Sequence, residues 1–220
     1  MLTSPGEKKS AKLIYKGAEA EIYLQDWHGE LAIRKSRIPK PYRVPELDES
    51  IRRTRTAHEA NMMHEVRKLG VPVPTIQHID PESTTIIMDY VPGPTLKEEL
   101  YKLSISKRRE RCNSLGNILG LMHEGGIVHG DMTISNVLSE DGNLYMIDFG
   151  LGDFSHELEG KGVDLLLLHR AMKSTHYSLH LFLFNAFLKG YGRAVGKKRA
   201  KETLLKMREV EKRGRYFDRA

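Results

Sequence analysis

At 220 residues the chain has room for one domain or two small lobes, and 40% apolar with 29% charged residues excludes a disordered or fibrous protein. One cysteine, Cys112, excludes a disulfide framework and a cysteine zinc site and fits a reducing cytosol; the polar residues 1–12 carry no apolar signal core, and no apolar run approaches a membrane span. The net charge of +6 is uneven, because residues 193–220 hold eleven Lys/Arg against four Asp/Glu, a surplus of seven that points to an anionic partner.

In chain order, residues 12–16, 21–27 and 31–36 read as three short strands with turns at Gly17 and Gly29. A basic, proline-broken connector over 38–45 leads to a helix capped by Asp48, which runs to about Leu69 and stops at Gly70. Ile51, Met62, Val66 and Leu69 recur on it at helical spacing. Residues 84–90 form another strand, ended by Pro92-Gly93-Pro94. Beyond that break the pattern turns helical, over 107–124, 162–172, 177–191 and 197–212. Cys112 falls on the apolar face of the first of these and reads as a core filler. The division expected is a strand-rich first part, 1–90, and a helical second part, 91–220.

The chemistry sits early in that second part. His129-Gly130-Asp131 is followed five positions later by Asn136, then by a turn at Asp141-Gly142 and a strand, 144–147, that leads into Asp148-Phe149-Gly150. Phosphoryl transfer needs these residue types: Mg²⁺ takes oxygen ligands from one or two side chains, which Asn136 and Asp148 supply, and a carboxylate, Asp131, orients or deprotonates the attacking group. The ordered set at short spacing is far more specific than Asp-Phe-Gly alone.

A protein-kinase-like first half should add a lysine on the third strand and a glutamate on the next helix. Lys35 and Glu59 fill those places, with Arg34 a rival that strand alternation puts on the other face. The usual glycine-rich phosphate loop is replaced by Gly17-Ala18-Glu19-Ala20, and two roles stay open for Glu19: helping a metal, or capping the turn. Met88, Asp89 and Val91 would form the hinge against adenine, through backbone groups of Asp89 and Val91, with Leu138 as the floor beneath the ring. Only about a dozen residues separate Gly150 from the next helix, and Gly130 stands where an arginine would read a phosphorylated activation loop, so loop phosphorylation is not expected to switch this enzyme.

The residues resemble the small atypical kinase subunit of the KEOPS complex and its p53-related kinase relatives. The resemblance rests on Gly17-Ala18-Glu19-Ala20, Lys35 with Pro39-Lys40-Pro41-Tyr42-Arg43, Arg55-Thr56 with Glu59-Ala60, His129-Gly130-Asp131-Met132-Thr133 with Ser135-Asn136, Asp148-Phe149-Gly150-Leu151-Gly152 and Val163-Asp164-Leu165. It implies a two-lobed, kinase-like α+β fold with a reduced C-lobe. It also implies an ATP-dependent serine/threonine kinase or ATPase that uses Mg²⁺ or Mn²⁺ in the cytoplasm. The partners implied are a carbamoyltransferase-like catalytic subunit and a small regulatory subunit, in the synthesis of threonylcarbamoyl-adenosine beside the tRNA anticodon. Lys212, Arg213 and Arg215 on the basic tail are the candidates for tRNA contact. Two alternatives are a small-molecule kinase of the aminoglycoside or choline type, for whose substrate insert the chain has no room, and a nucleotide-binding scaffold without catalysis.

Overall fold

The computed structural model describes residues 11–217, with side chains to 213. It divides into two compact units, residues 1–60 with 74–90 and residues 61–73 with 91–220.

The first unit is built on an antiparallel five-stranded sheet in the order β1-β2-β3-β5-β4. Its strands are β1 (Lys12–Lys16), β2 (Ala20–Trp27), β3 (Glu30–Arg37), β4 (Ile76–Asp80) and β5 (Thr85–Asp89). β2 and β3 close around His28-Gly29, where φ is 55° and 92°, the two successive positive values that a right-twisted two-residue hairpin demands. The hairpin fixes the register, setting Ile22 opposite Lys35, and β5 then sets Ile86 beside Lys35 and Met88 beside Ile33. β4 was not expected from sequence: Gln77 and His78 hide its strand character, and it sits right after Pro72 and Pro74.

Helix α1 (Pro45–Lys68) begins in the first unit and ends in the second. It starts earlier than the sequence suggests, because Pro45 fits a first helical turn that needs no N–H there. Asp48 is therefore a residue of the first turn and not the cap, and its carboxylate accepts from Arg52 (2.7 Å) and Arg43 (3.3 Å). Met62 and Val66 are fully buried, as their spacing predicts.

In the second unit α2 (Leu96–Lys102) opens on a reciprocal capping box, Thr95 accepting from Glu98 N–H and Glu98 accepting from Thr95 N–H. Helices α3 (Ile105–Glu124) and α5 (His180–Val195) pack with their backbones almost touching: a Cβ on Gly190 would lie 1.8 Å from the Asn113 carbonyl oxygen, and one on Gly116 2.0 Å from that of Phe187. Cys112 is wholly buried in α3, and burial pushes its thiol up to about 12. Helices α4 (Leu158–Thr175) and α6 (Lys197–Phe217) pack together beside them. Two small antiparallel two-stranded sheets complete the unit, β6 (Ile127–Val128) with β9 (Asp153–Phe154), and the hairpin of β7 (Val137–Glu140) with β8 (Asn143–Met146). The second turns at Asp141-Gly142, as the sequence indicates. No helix among the described residues is long and apolar enough to cross a membrane.

Burial holds His123, His169 and His176 below the ordinary histidine range, His123 most completely. A histidine with a lowered folded pKa binds its proton more readily in the unfolded chain, so its stabilising contribution is lost as pH falls below the unfolded value of 6.5. The melting temperature is therefore expected to fall between pH 7.5 and 5.5, with a slope of up to about 1.4 kcal/mol per pH unit from His123. Thermal denaturation across that range, with and without His123→Asn, measures it.

Candidate active site

In the first unit the sheet and α1 meet at Glu59, 1% exposed. Its Oε1 accepts from Lys35 Nζ and its Oε2 from Arg37 Nη2, each at 2.6 Å. A carboxylate this buried needs its oxygens met by cations or hydrogen-bond donors, and here both partners are cations. Residues two apart on a strand share a face, which is why Lys35 and Arg37 both reach it while Arg34 lies over the Tyr23 ring, 4.4 Å from its centroid. The sequence picked out Lys35 and Glu59, which the fold brings together; it did not pick out Arg37, although the same alternation selects it.

The loop between β1 and β2 is closed by its backbone, Gly17 N–H donating to the Ala20 carbonyl at 2.9 Å. Glu19 therefore does not cap the turn. Its carboxylate oxygens lie 2.8 and 2.9 Å from Arg55 Nη1, and Ala18 presents its carbonyl to Lys40. Ala20 and Met88 are buried, Met88 on the central β5. Asp89 donates its N–H to the Thr75 carbonyl at 2.9 Å and accepts on its side chain from Gln77 at 2.6 Å. That backbone donor is thus spent within the first unit, and Val91, at the start of the second, is buried.

In the second unit the loop after β6 is hung from one carboxylate. Asp164 on α4, completely buried, accepts from His129 N–H at 2.7 Å, from Gly130 N–H at 2.9 Å, and contacts His123 Nε2 at 3.1 Å. Buried and uncharged, His123 donates through Nε2 to Asp164 and accepts at Nδ1 from Tyr191, 2.8 Å away. Tyr191 is itself buried, which raises its hydroxyl to about 12. Gly130 has φ 76°, and a Cβ there would lie 2.0 Å from the Leu151 carbonyl oxygen, so an arginine cannot occupy that position in this fold.

His129 links this loop to the one that follows β8. Its Nδ1 accepts from Asp131 N–H (3.3 Å), its Nε2 donates to the Ile147 carbonyl (3.1 Å), and its ring packs on Phe149 at 4.8 Å. Asn136 donates from Nδ2 to both the carbonyl and the carboxylate of Asp131, at 2.8 and 3.0 Å. Buried Phe149 anchors the turn on which Asp148 is exposed, with φ 64°, a left-handed value that aspartate tolerates and that clusters at functional sites. Leu138 is half-buried on β7. The link from Gly150 to α4 is shorter than the expected dozen residues, spanning only 151–157, and Asp153 of it pairs with Val128.

Among the described residues no group of three or more His, Cys, Asp or Glu could hold a metal. The donor set suits a cation that takes two protein oxygens and completes its shell with water and phosphate, as Mg²⁺ does. With Asn136 Nδ2 committed to Asp131, its Oδ1 is the atom left for a ligand role. Asp148 offers an exposed carboxylate on the neighbouring turn.

A family model described as the RIO domain matches residues 31–152, which include Lys35, Glu59 and all three polar residues of the second unit's set. The chain is 44% identical over 216 residues to the KEOPS complex subunit Bud32 of Pyrococcus abyssi, covering 95% of this chain and 98% of that one. It is 39% identical to a probable bifunctional tRNA threonylcarbamoyladenosine biosynthesis protein of Methanothermobacter thermautotrophicus, spanning 94% of this chain but only 37% of that longer protein. In fold it is similar to the Rio2 kinase of Chaetomium thermophilum, solved as an ADP/Mg²⁺-phosphoaspartate complex, with a TM-score of 0.63 at 16% identity over 93% of this chain and 70% of that one. The fold is thus the kinase-like α+β arrangement expected.

Asp164 was visible in the sequence only as part of a resemblance, yet it holds the loop that carries Asp131. Asp164→Asn keeps the shape but turns one of the two acceptor oxygens into a donor, leaving a buried N–H opposed. It should cost about 1–3 kcal/mol of stability, the range for a buried donor left without its acceptor. Chemical denaturation of the variant measures this, and an unchanged midpoint would contradict the anchoring role.

Proposed function

The chain belongs to the RIO-domain family and, within it, to the KEOPS subunit Bud32 relatives, and from that premise we propose that it turns over Mg-ATP in support of tRNA threonylcarbamoyladenosine synthesis. It is an atypical kinase/ATPase subunit of that complex. The observation that supports the catalytic reading is the Asn136–Asp131 pair: one amide holds Asp131 through two hydrogen bonds from Nδ2, so Oδ1 is the atom it would offer to a ligand.

The roles proposed for the residues rest on their chemical types and their places in each unit. Lys35, held by Glu59, presents a positive charge to the phosphates of the nucleotide. The loop of Gly17, Ala18, Glu19 and Ala20 covers them more loosely than a glycine-rich loop would. Met88, the Asp89 carbonyl and the Val91 N–H receive the purine, with Leu138 against its ring. Asn136 and Asp148 would hold Mg²⁺, or Mn²⁺ in its place, which when bound neutralises charge on the phosphates. Asp131 orients the attacking water or hydroxyl and takes its proton. The short 151–157 link offers no room for a protein-substrate docking loop, which favours hydrolysis over phosphorylation of a large substrate.

Function in the cytoplasm, beside a carbamoyltransferase-like and a small regulatory subunit, is part of this proposal and rests on the family resemblance. So does tRNA contact through the basic α6. There Lys212 is exposed and Arg213 pairs with Glu159 at 2.9 Å, while the Arg215 side chain lies outside the described residues.

Asp131→Ala is expected to keep nucleotide binding and to lower ATP turnover by roughly 10²–10⁴-fold, the usual weight of a positioned acid/base. Phosphate release by the purified variant measures it, and wild-type turnover would overturn the role. Asp148→Asn should weaken Mg-ATP binding by removing a carboxylate from the metal. Calorimetry giving the parent affinity would count against the metal site.

A further inference from the structure

A second cluster in the first unit adjoins the Glu19 loop, and its arginines have no role in the metal and proton chemistry proposed above. Arg37, Lys40, Arg43, Arg52 and Arg55 line one recess together with Glu19. Two of its cations are fixed from behind. Arg37, with a side chain 6% exposed, is held by Glu59, and Arg52, 18% exposed, is held by Asp48. Arg52 also donates to the Thr84 hydroxyl, and Asp48 takes Arg43 as well. The Arg52 hydrogen bond, foremost, keeps the Asp48 carboxyl below the usual carboxylate range, so it stays ionised as a brace. The five cations of the recess meet three carboxylates, Glu19, Asp48 and Glu59, the last of them shared with Lys35, so positive charge is in excess.

Glu19 is the loosest of the three acids. Its side chain is 52% exposed, against 3% for Asp48 and 1% for Glu59. Both its oxygens lean on the single nitrogen Arg55 Nη1, and Arg37 Nη1 is 3.6 Å away, beyond a good hydrogen bond. An exposed pair of this kind contributes little. The loop backbone does not depend on it, because the Glu19 carbonyl accepts from Ile38 N–H at 3.1 Å and the Ala18 carbonyl from Lys40. The carboxylate can therefore swing out while the loop stays in place.

We propose that this recess is a phosphate-binding site, in which Glu19 occupies the position of the ligand and is displaced by a phosphate group that engages Arg55, Arg37 and Lys40 together. A second carboxylate would gain nothing by replacing Glu19. A phosphate presents more acceptor oxygens in a tetrahedral array and carries up to twice the charge, which suits guanidinium groups converging from several sides. The phosphate can be free or part of an RNA strand. For the strand, Tyr42, 75% exposed with the Arg43 guanidinium 5.4 Å from its ring centroid, offers a stacking surface next to the recess. The site stands independently of the catalytic reading, because it needs neither metal nor nucleoside.

Binding of inorganic pyrophosphate, and separately of a short single-stranded RNA, is measured by calorimetry on the full chain in EDTA, so that metal-dependent binding is silent. Lys40→Gln and Arg55→Gln should each weaken pyrophosphate by about tenfold, the scale of one charge-assisted hydrogen bond. Glu19→Gln should tighten it severalfold, whereas Glu30→Gln, the same charge change at the start of β3, should leave it within experimental error. Tyr42→Ala should weaken the RNA and spare pyrophosphate if a strand is the source; if the RNA is indifferent to Tyr42 and to Arg43, the source is free phosphate. Circular dichroism melting establishes that each variant is folded. The proposal is overturned if pyrophosphate does not bind, if Glu19→Gln and Glu30→Gln behave alike, or if a glutamate oligopeptide of equal charge competes as well as pyrophosphate.

Discussion

The arrangement of the second unit depends on one buried carboxylate. Asp164 sits in the apolar run of α4 with no exposed surface, and it is stable there because two backbone N–H groups and an imidazole converge on it. Ionised acceptors bonded to backbone donors are the strong class of hydrogen bond, and in a water-free interior they are costly to lose. Everything that places Asp131 follows. His129 and Gly130 are pinned by their amides, His129 then reaches across to Ile147, and Phe149 packs on the same ring. Asn136 closes the arc onto Asp131. Tyr191 extends the anchor through His123 to α5, so the helical core and the catalytic loop are one hydrogen-bonded body.

The first unit repeats this design with a different kind of donor. Glu59 is the buried carboxylate, but its donors are side-chain cations, Lys35 and Arg37. A carboxylate bridged by two cations gives its lysine a fixed address, and the rest of that cation's charge remains for a phosphate ester. The same unit spends Asp48 in the same way on Arg43 and Arg52. The buried acids Glu59 and Asp48 act as rigid mounts for cations, and of the three acids in this cluster Glu19 is the exposed one.

Much of this was legible in the chain because its signals are local. The Asp131–Asn136 spacing, the turn at Asp141-Gly142 and the hairpin at Gly29 are short-range patterns, and the structure places the turns where the sequence does. Lys35 and Glu59 are far apart in sequence, but each lies on an element whose periodicity says which way it faces. What escaped was of two kinds. Asp164, Tyr191 and Arg37 act through contacts that only the assembled fold creates, and a lone acid in an apolar helix does not name its partners. By contrast, α2 was signalled by Thr95 and Glu98 as a capping box, and the pattern went unused beside the more conspicuous Pro92-Gly93-Pro94 break. The start of α1 was misplaced because Asp48 has the chemistry of a cap but is employed as an ion-pair brace.

The central claim is that Asn136 and Asp148 share one divalent cation delivered with ATP. It is tested most directly by adding substoichiometric Mn²⁺-ATP to isotopically labelled protein and recording which resonances are lost to paramagnetic broadening. The account predicts that the Asn136 side-chain amide and the Asp148 backbone amide vanish first, while the side-chain amide of Asn113, bonded to the Ala186 carbonyl between α3 and α5, persists. Broadening centred elsewhere, with Asn136 and Asp148 unaffected, would contradict it.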